Sequence, residues 1–392
     1  MFKPRLNQTE ILEYESGKMG ISAVPGSGKT HTLSALAAQL ILRGKIGNEQ
    51  EILIVTLVNS AVDNFSSRIA GFVKEARLLE NVGYRVRTLH GLAHDIVRER
   101  PDLVGVSNQF SIIDETESFR MIDQISTEYS RVHPEVEDFL MKPDVDRSKA
   151  HHSKNGWNSL ITSLNQSFIN QAKDLDIEPD EIRLRMKKHQ YKDLLLEMAV
   201  DVYAQYQRGL KYRNALDFAD LIRLAYRALT ADPQYLERLR YRWPYILEDE
   251  AQDSSRTQEQ ILRLLTGPEG NWVRVGDPNQ AIYETFTTAN PKYLRSFLKE
   301  PGVTARSLPH SGRSSRGIIN LANSLVIWAR ENHPVPDLRS ALDLPLIQPT
   351  PPGDPQPNPP DLPNSIYIKY TKSTADEEIR SVVSSIKRFL EK

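Results

Sequence analysis

Apolar residues follow two rhythms along this chain. Four short runs, "EILIVTL" (51–57), "RVRTLH" (85–90), "PYILED" (244–249) and "NWVRVGD" (271–277), have the length of buried strands rather than helices. Elsewhere the spacing changes to three and four, as at Leu33, Leu36, Ala37, Leu40 and Ile41, which mark one face of a helix. Strands alternating with helices predict an open parallel α/β sheet that binds ligands at the carboxyl ends of its strands. Residues 107–215 break this order. No comparable strand is legible there, and "DLLLEMAVDVYAQYQRGL" (193–210) carries long helical periodicity, which predicts a helical insertion in the sheet domain. From 334 to 363 the chain holds 11 of its 24 prolines, a density that excludes helix and central strand and predicts an extended linker or disordered loop. Beyond it, "SIYIKY" (365–370) reads as a strand and "DEEIRSVVSSIKRFLEK" (376–392) as an amphipathic helix, together the opening of a second domain.

Composition narrows the chemistry. In 392 residues, 50 lysines and arginines face 51 aspartates and glutamates, so any nucleic-acid binding must come from a local surface rather than overall charge. With no cysteine, disulfides, thiolate zinc sites, iron–sulfur clusters and cysteine nucleophiles are excluded. The N-terminus carries no run of signal-peptide character and no apolar stretch reaches membrane-spanning length, so a cytoplasmic protein with no membrane partner is expected.

Two stretches carry candidate chemistry. "ISAVPGSGKTHTLSALAAQL" (21–40) resembles the phosphate-loop pattern G-x-x-x-x-G-K-[ST]: Gly28, Lys29 and Thr30 fit, while Ala23 stands where the first glycine belongs. Ile21, Ala23 and Val24 read as a strand end, so Gly26, Ser27 and Gly28 would lead into a helix N-terminus, where free N–H groups and the helix dipole favour an anion. The bland alternative is a Gly/Ser turn before a lysine. "YILEDEAQD" (245–253) supplies what hydrolysis of a nucleotide held there would need: Asp249 to hold Mg²⁺ with Thr30, and Glu250 to orient water. Alone, such acids are more often a solvated helix cap. His90 and His94 stand four apart, yet Gly91 breaks the H-E-x-x-H zinc pattern.

Taken in order, these stretches resemble the superfamily 1 DNA helicases of the UvrD/Rep type. In that family the loop commonly reads A-x-x-G-S-G-K-T, which accounts for Ala23. "TLVNSAVDNFSSRI" (56–69) is similar to motif Ia, "TLHGLAHDIVRE" (88–99) to the segment after it, and "NALDFADLI" (214–222) to the segment closing the insertion. "DEAQD" is similar to motif II, "VGDPNQAIY" (275–283) to motif III and "LPHSGRSSRGIINLANSL" (308–325) to motif IV. The resemblance implies a RecA-like P-loop NTPase sheet over 1–106 and 216–333, a helical insertion (1B) over 107–215, a Pro-rich linker over 334–363 and the start of a second motor domain over 364–392. It implies ATP and Mg²⁺ as cofactors, and single-stranded DNA or single/double-strand junctions as partners. Gln280 and Gln252 would join the γ-phosphate network, Arg313 would spread transition-state charge, and Thr56, Asn59, His90, Tyr283 and Phe286 would face DNA.

The chain also departs from the family pattern. The adenine-contacting glutamine, arginine and tyrosine are replaced by Glu10, His31 and Gly312, although Gln8 takes the glutamine position if the register slips by two. A carboxylate cannot donate to the base as an amide does, so weak base selectivity is expected. Leu57 and Ser60 replace the motif Ia phenylalanine and lysine, and Phe286 falls one place late. Nothing after residue 330 resembles motifs V and VI. A DNA-dependent ATPase or helicase portion is the leading reading. A nucleotide-gated DNA-binding module without motor activity, and a P-loop phosphotransferase, are the alternatives.

Overall fold

A computed structural model of the chain describes residues 3–76, 79, 82–140, 154–190, 192–280, 288–362, 366 and 374–391. Its centre is a six-stranded parallel sheet of β1 (Lys18–Ala23), β2 (Ile52–Thr56), β3 (Tyr84–Thr88), β4 (Tyr245–Glu248), β5 (Asn271–Gly276) and β6 (Val303–Leu308), in the order β3-β2-β4-β5-β1-β6. The four predicted runs are β2 to β5, with β3 stopping at Thr88. There the Thr88 hydroxyl accepts from the Gly91 N–H at 3.1 Å and starts a helix, so His90 is helical. β6 has no counterpart among the predicted strands. It is an edge strand, partly solvated along "VTARSL", so its sequence carries too little apolar signal.

Both sheet faces are covered, which explains why β2 is apolar from Ile52 to Val55. Ile52 and Ile54 pack with α2 (Lys29–Leu42) and with Phe65, Ile69 and Val73 of α3 (Asn59–Glu75). Leu53 and Val55 point the other way, into a core with α4 (Leu89–Glu99), α10 (Phe218–Ala231) and α12 (Arg256–Thr266). α1 (Leu6–Leu12) joins the first core through Ile11 and Leu12, each worth about 1.5–3 kcal/mol of burial.

Between α4 and α10 lie α5 (Glu115–Val132), α6 (Pro134–Leu140), α7 (Lys154–Asp174), α8 (Pro179–Lys188) and α9 (Leu194–Tyr212). They build a third core around Ile122, Met198, Tyr203 and Tyr206. A parallel pairing of Ser111–Ile112 with Ala215–Leu216 closes the excursion. A buried charge cluster fixes it to the sheet side: Lys173 lies 2.6 Å from Asp217 and 2.9 Å from Asp220. Asp174 accepts from the Ser255 hydroxyl at 2.6 Å and the Thr257 N–H at 3.2 Å, tying α7 to the start of α12.

Composition predicts an extended linker or disordered loop without helix over 334–363, yet the segment holds a short 3-10 helix at Pro336–Ser340 and is anchored beyond it. Gln348–Pro349 pairs in parallel with His310–Ser311, and polar side chains bind the segment to the sheet's carboxyl edge. Proline removes N–H donors but leaves carbonyls and neighbouring side chains free to anchor an extended chain. It follows α11 (Pro233–Arg242), α13 (Lys292–Phe297) and α14 (Arg316–Asn332) in the chain and precedes α15 (Ala375–Leu390), the predicted amphipathic helix. Apart from Ile366, "SIYIKY" lies outside the described residues. Among the described residues no helix is long and apolar enough to cross a membrane.

Candidate functional site

The sheet's carboxyl edge gathers the two candidate stretches. After β1 the chain turns through Gly26 and Gly28, whose φ values of +74° and +88° are left-handed and strain any residue with a Cβ. A Cβ on Gly26 would also sit 2.5 Å from the Arg313 Cβ and 2.7 Å from the Ser311 hydroxyl. α2 then begins at Lys29, with Gly28 at its N-cap, a residue that has no side chain to cap the first N–H groups. On the far side of β5, β4 ends at Glu248. The Asp249 N–H donates to the Val55 carbonyl at 2.9 Å, and Glu250 takes a left-handed φ of 53°. That conformation costs a β-carbon-bearing residue about 1–2 kcal/mol. It accompanies a contact across the site, the Lys29 ammonium donating to the Glu250 carboxylate at 2.8 Å. Thr30 donates to Asp249 at 3.4 Å. Gln252, buried, donates to Glu250 at 2.9 Å while its carbonyl accepts from the Asp277 N–H at 3.0 Å, which joins the ends of β4 and β5.

Negative charge is crowded here. Burial first, and the Glu250 carboxylate second, push Asp249 up to about 7 against the pull of Lys29. The same two causes raise Asp253 to about 6, and burial raises Asp277. One Asp249 oxygen and the Ser27 hydroxyl are buried with no hydrogen-bond partner among the described residues. A carboxylate oxygen lacking a partner suits a cation, and a buried, unpartnered hydroxyl beside a helix N-terminus suits an anion. The donor set therefore fits a phosphate together with a hard divalent ion.

The profile of the UvrD/REP helicase N-terminal domain matches residues 5–301. The chain belongs to the UvrD/REP helicase family. It is similar to DNA helicase II of Haemophilus influenzae, 28% identical over 81% of this chain and 40% of that protein. It is also similar to ATP-dependent DNA helicase UvrD1 of Mycobacterium tuberculosis, 29% identical over 81% of this chain and 38% of the relative. ATP-dependent DNA helicase PcrA of Staphylococcus aureus is 28% identical, over 83% and 40% respectively. The chain thus spans about 40% of the length of these relatives.

The remaining UvrD/REP motif residues divide by location. Gln8, not Glu10, reaches the loop: its amide donates to the Ser27 carbonyl at 3.4 Å and to the Thr32 hydroxyl at 3.1 Å. Glu10 is exposed and pairs with Arg306 of β6 at 3.6 Å, making no contact with the loop among the described hydrogen bonds. Two residues along a helix is about 200°, which turns one of the pair outward when the other faces in. His31 leans toward α3, 2.9 Å from an Arg68 nitrogen and edge-on to Phe72, and burial lowers its pKa. Arg313 is exposed beside Gly26 with no ion pair among the described residues. The exposed Gln280 follows Asp277, to whose carbonyl its N–H donates at 3.0 Å. Thr56 ends β2, buried, and Asn59 opens α3, exposed. His90 lies edge-on to Phe218 with its pKa lowered by burial. Tyr283 and Phe286 lie outside the described residues. Sequence reading missed Asp277 and Arg5. The first was legible as an acid at a strand's carboxyl end; the second gave no signal, because its partner lies 349 residues away.

Proposed function

We propose that the chain is the ATP-hydrolysing motor portion of a DNA helicase or translocase, coupling ATP turnover to single-stranded DNA. The observation that carries this reading is the Lys29–Glu250 contact at 2.8 Å, flanked by Thr30 and Asp249, at the ends of strands far apart in sequence. In this reading 1–106 and 216–333 form the ATP-binding domain, 107–215 an accessory insertion, and 364–392 the start of a second motor domain.

The loop N–H groups of Gly26, Gly28, Lys29 and Thr30, with the unpartnered Ser27 hydroxyl, hold the phosphates. Lys29 exchanges Glu250 for phosphate oxygens, and this frees the carboxylate. Glu250 then orients a water and takes its proton as the water oxygen bonds to the γ-phosphorus. The bond to the β–γ bridging oxygen breaks, and ADP leaves with the electron pair. Thr30 and Asp249 would hold Mg²⁺, which supplies charge neutralisation of the phosphates. Gln252 keeps Glu250 in place, Gln280 senses the γ-phosphate, and Arg313 approaches from the Gly26 side to spread the developing charge. Gln8 borders the base side, with His31 set back against α3. Thr56, Asn59 and His90, at the carboxyl ends of β2 and β3, would form a DNA face where stacking and backbone contacts are sequence-tolerant; Tyr283 and Phe286, assigned the same role by the family resemblance, lie outside the described residues.

The test is steady-state ATP hydrolysis with and without a single-stranded oligonucleotide, beside Lys29→Ala. Stimulation by DNA that vanishes in the variant supports the motor reading. Nucleotide binding unaffected by Lys29→Ala would reject it, and binding without any hydrolysis would favour a nucleotide-gated DNA-binding module.

A further inference from the structure

The turn carrying Arg313 is not held by its own neighbours alone. Polar side chains of the proline-rich segment reach back to it. The Asn358 amide nitrogen donates to the Ser311 carbonyl at 2.6 Å and the Ser314 carbonyl at 2.9 Å, one on each side of Arg313. Its oxygen accepts from the Thr350 N–H at 2.8 Å and hydroxyl at 2.9 Å, so both ends of the amide are engaged. Asp361 accepts from the Gly317 N–H at 2.8 Å and so caps α14, whose own N-cap residue Ser315 makes no capping bond. Asp354 takes the Arg5 guanidinium at 2.5 and 3.0 Å, and a third Arg5 nitrogen lies 3.4 Å from both the Ser27 and His310 carbonyls. The segment sits so close that a Cβ on Gly312 would meet the Gln356 carbonyl at 2.7 Å.

On its other side the same turn abuts the phosphate loop, where the Gly312 N–H donates to the Gly26 carbonyl at 3.3 Å. The backbone around Arg313 is therefore fixed from both sides, while its exposed guanidinium has no ion pair among the described residues. A charged group on a fixed base with an uncommitted head is preorganised for a ligand that carries the opposite charge.

We propose that Asn358, oriented by Thr350, is a positioning residue that sets Arg313 against the γ-phosphate side of the loop. The proline-rich segment is on this account a working part of the ATP site. Its prolines limit the conformations available to the free segment, which lowers the entropy lost when Asn358 docks. The proposal rests on the reading of Arg313 as the residue that meets transition-state charge.

The test measures affinity of the 392-residue chain for Mg·ADP, with and without aluminium fluoride as a mimic of the transferring phosphoryl group. Asn358→Asp keeps the acceptor for Thr350 and loses both donors. It is expected to bind Mg·ADP like the unaltered chain and to lose about tenfold of the extra affinity that aluminium fluoride confers, as a misplaced catalytic group does. In an Arg313→Ala background the same change should add nothing, because both act through one side chain. Should Asn358→Asp not fold, Thr350→Val, which removes one of the two donors to Asn358, is expected to give a smaller loss of the same kind. Equal loss of Mg·ADP and analogue affinity, no loss at all, or a loss that adds to that of Arg313→Ala would each overturn the proposal. Failure of the unaltered chain to bind Mg·ADP would remove the ATPase reading as well, whereas Mg·ADP binding with a silent Arg313→Ala would remove this proposal only.

Discussion

Glu250→Gln separates the two roles that the geometry gives this carboxylate. In the free protein Glu250 holds Lys29 at 2.8 Å, so nucleotide must displace it before Lys29 can meet phosphate. The Lys29 side chain is 10% exposed and Glu250 34%, which puts the pair between a surface ion pair and a buried one. A net contribution of about 1–2 kcal/mol is the corresponding magnitude. The glutamine keeps the shape and removes the charge, so Mg·ATP affinity should rise about 5- to 30-fold. Hydrolysis should fall by about 10² or more, because the amide cannot take the water's proton. A second signature follows from Asp249. Its carboxyl is raised to about 7 by burial and, next, by Glu250, so metal-dependent binding should strengthen as pH rises through 7. Without the Glu250 charge that midpoint should move to lower pH. Equilibrium titration of a fluorescent ATP analogue between pH 5.5 and 8.5, beside single-turnover hydrolysis, reads all three. Weaker binding in the variant would refute the displacement account, and unchanged hydrolysis would refute the role of Glu250 in proton transfer.

Other substitutions probe separate features. Between pH 4 and about 7, folded Asp249 retains a proton that the unfolded chain has released, so its contribution to stability falls as pH rises through that window. Asp249→Asn should abolish this slope and stabilise the protein at pH 8 by about 2–4 kcal/mol in thermal unfolding, while metal-dependent nucleotide binding is lost. Gln8→Ala should weaken nucleotide binding by several-fold and Glu10→Ala should leave it unchanged, a contrast read by the same titration, since only Gln8 touches the loop. Lys173→Met leaves Asp217 and Asp220 buried without their shared cation and should cost about 3–5 kcal/mol in denaturant unfolding.

The local sequence was sufficient wherever a residue's role depended on its immediate chain neighbours. β2 is apolar from Ile52 to Val55 because both sheet faces are covered, and that run is visible without knowing what covers it. The loop from Val24 to Thr30 needed only its glycines and the helical spacing after it. The acids after β4 could be placed at a strand end from Ile246 and Leu247 alone.

What tertiary structure decided was pairing across the fold, because distant partners leave no periodic trace in the chain. Nothing local chooses between Gln8 and Glu10. The choice came from which face of α1 meets the loop and which meets Arg306. β6 stayed hidden because an edge strand is half-solvated and its ladder to β1 is made by backbone groups common to every sequence. The proline-rich segment gave the largest difference. Composition left open an extended linker or a disordered loop, and the segment's anchoring depends on Asn358 and Asp354 meeting Ser311, Ser314 and Arg5, contacts that exist only once the sheet has brought distant parts of the chain together.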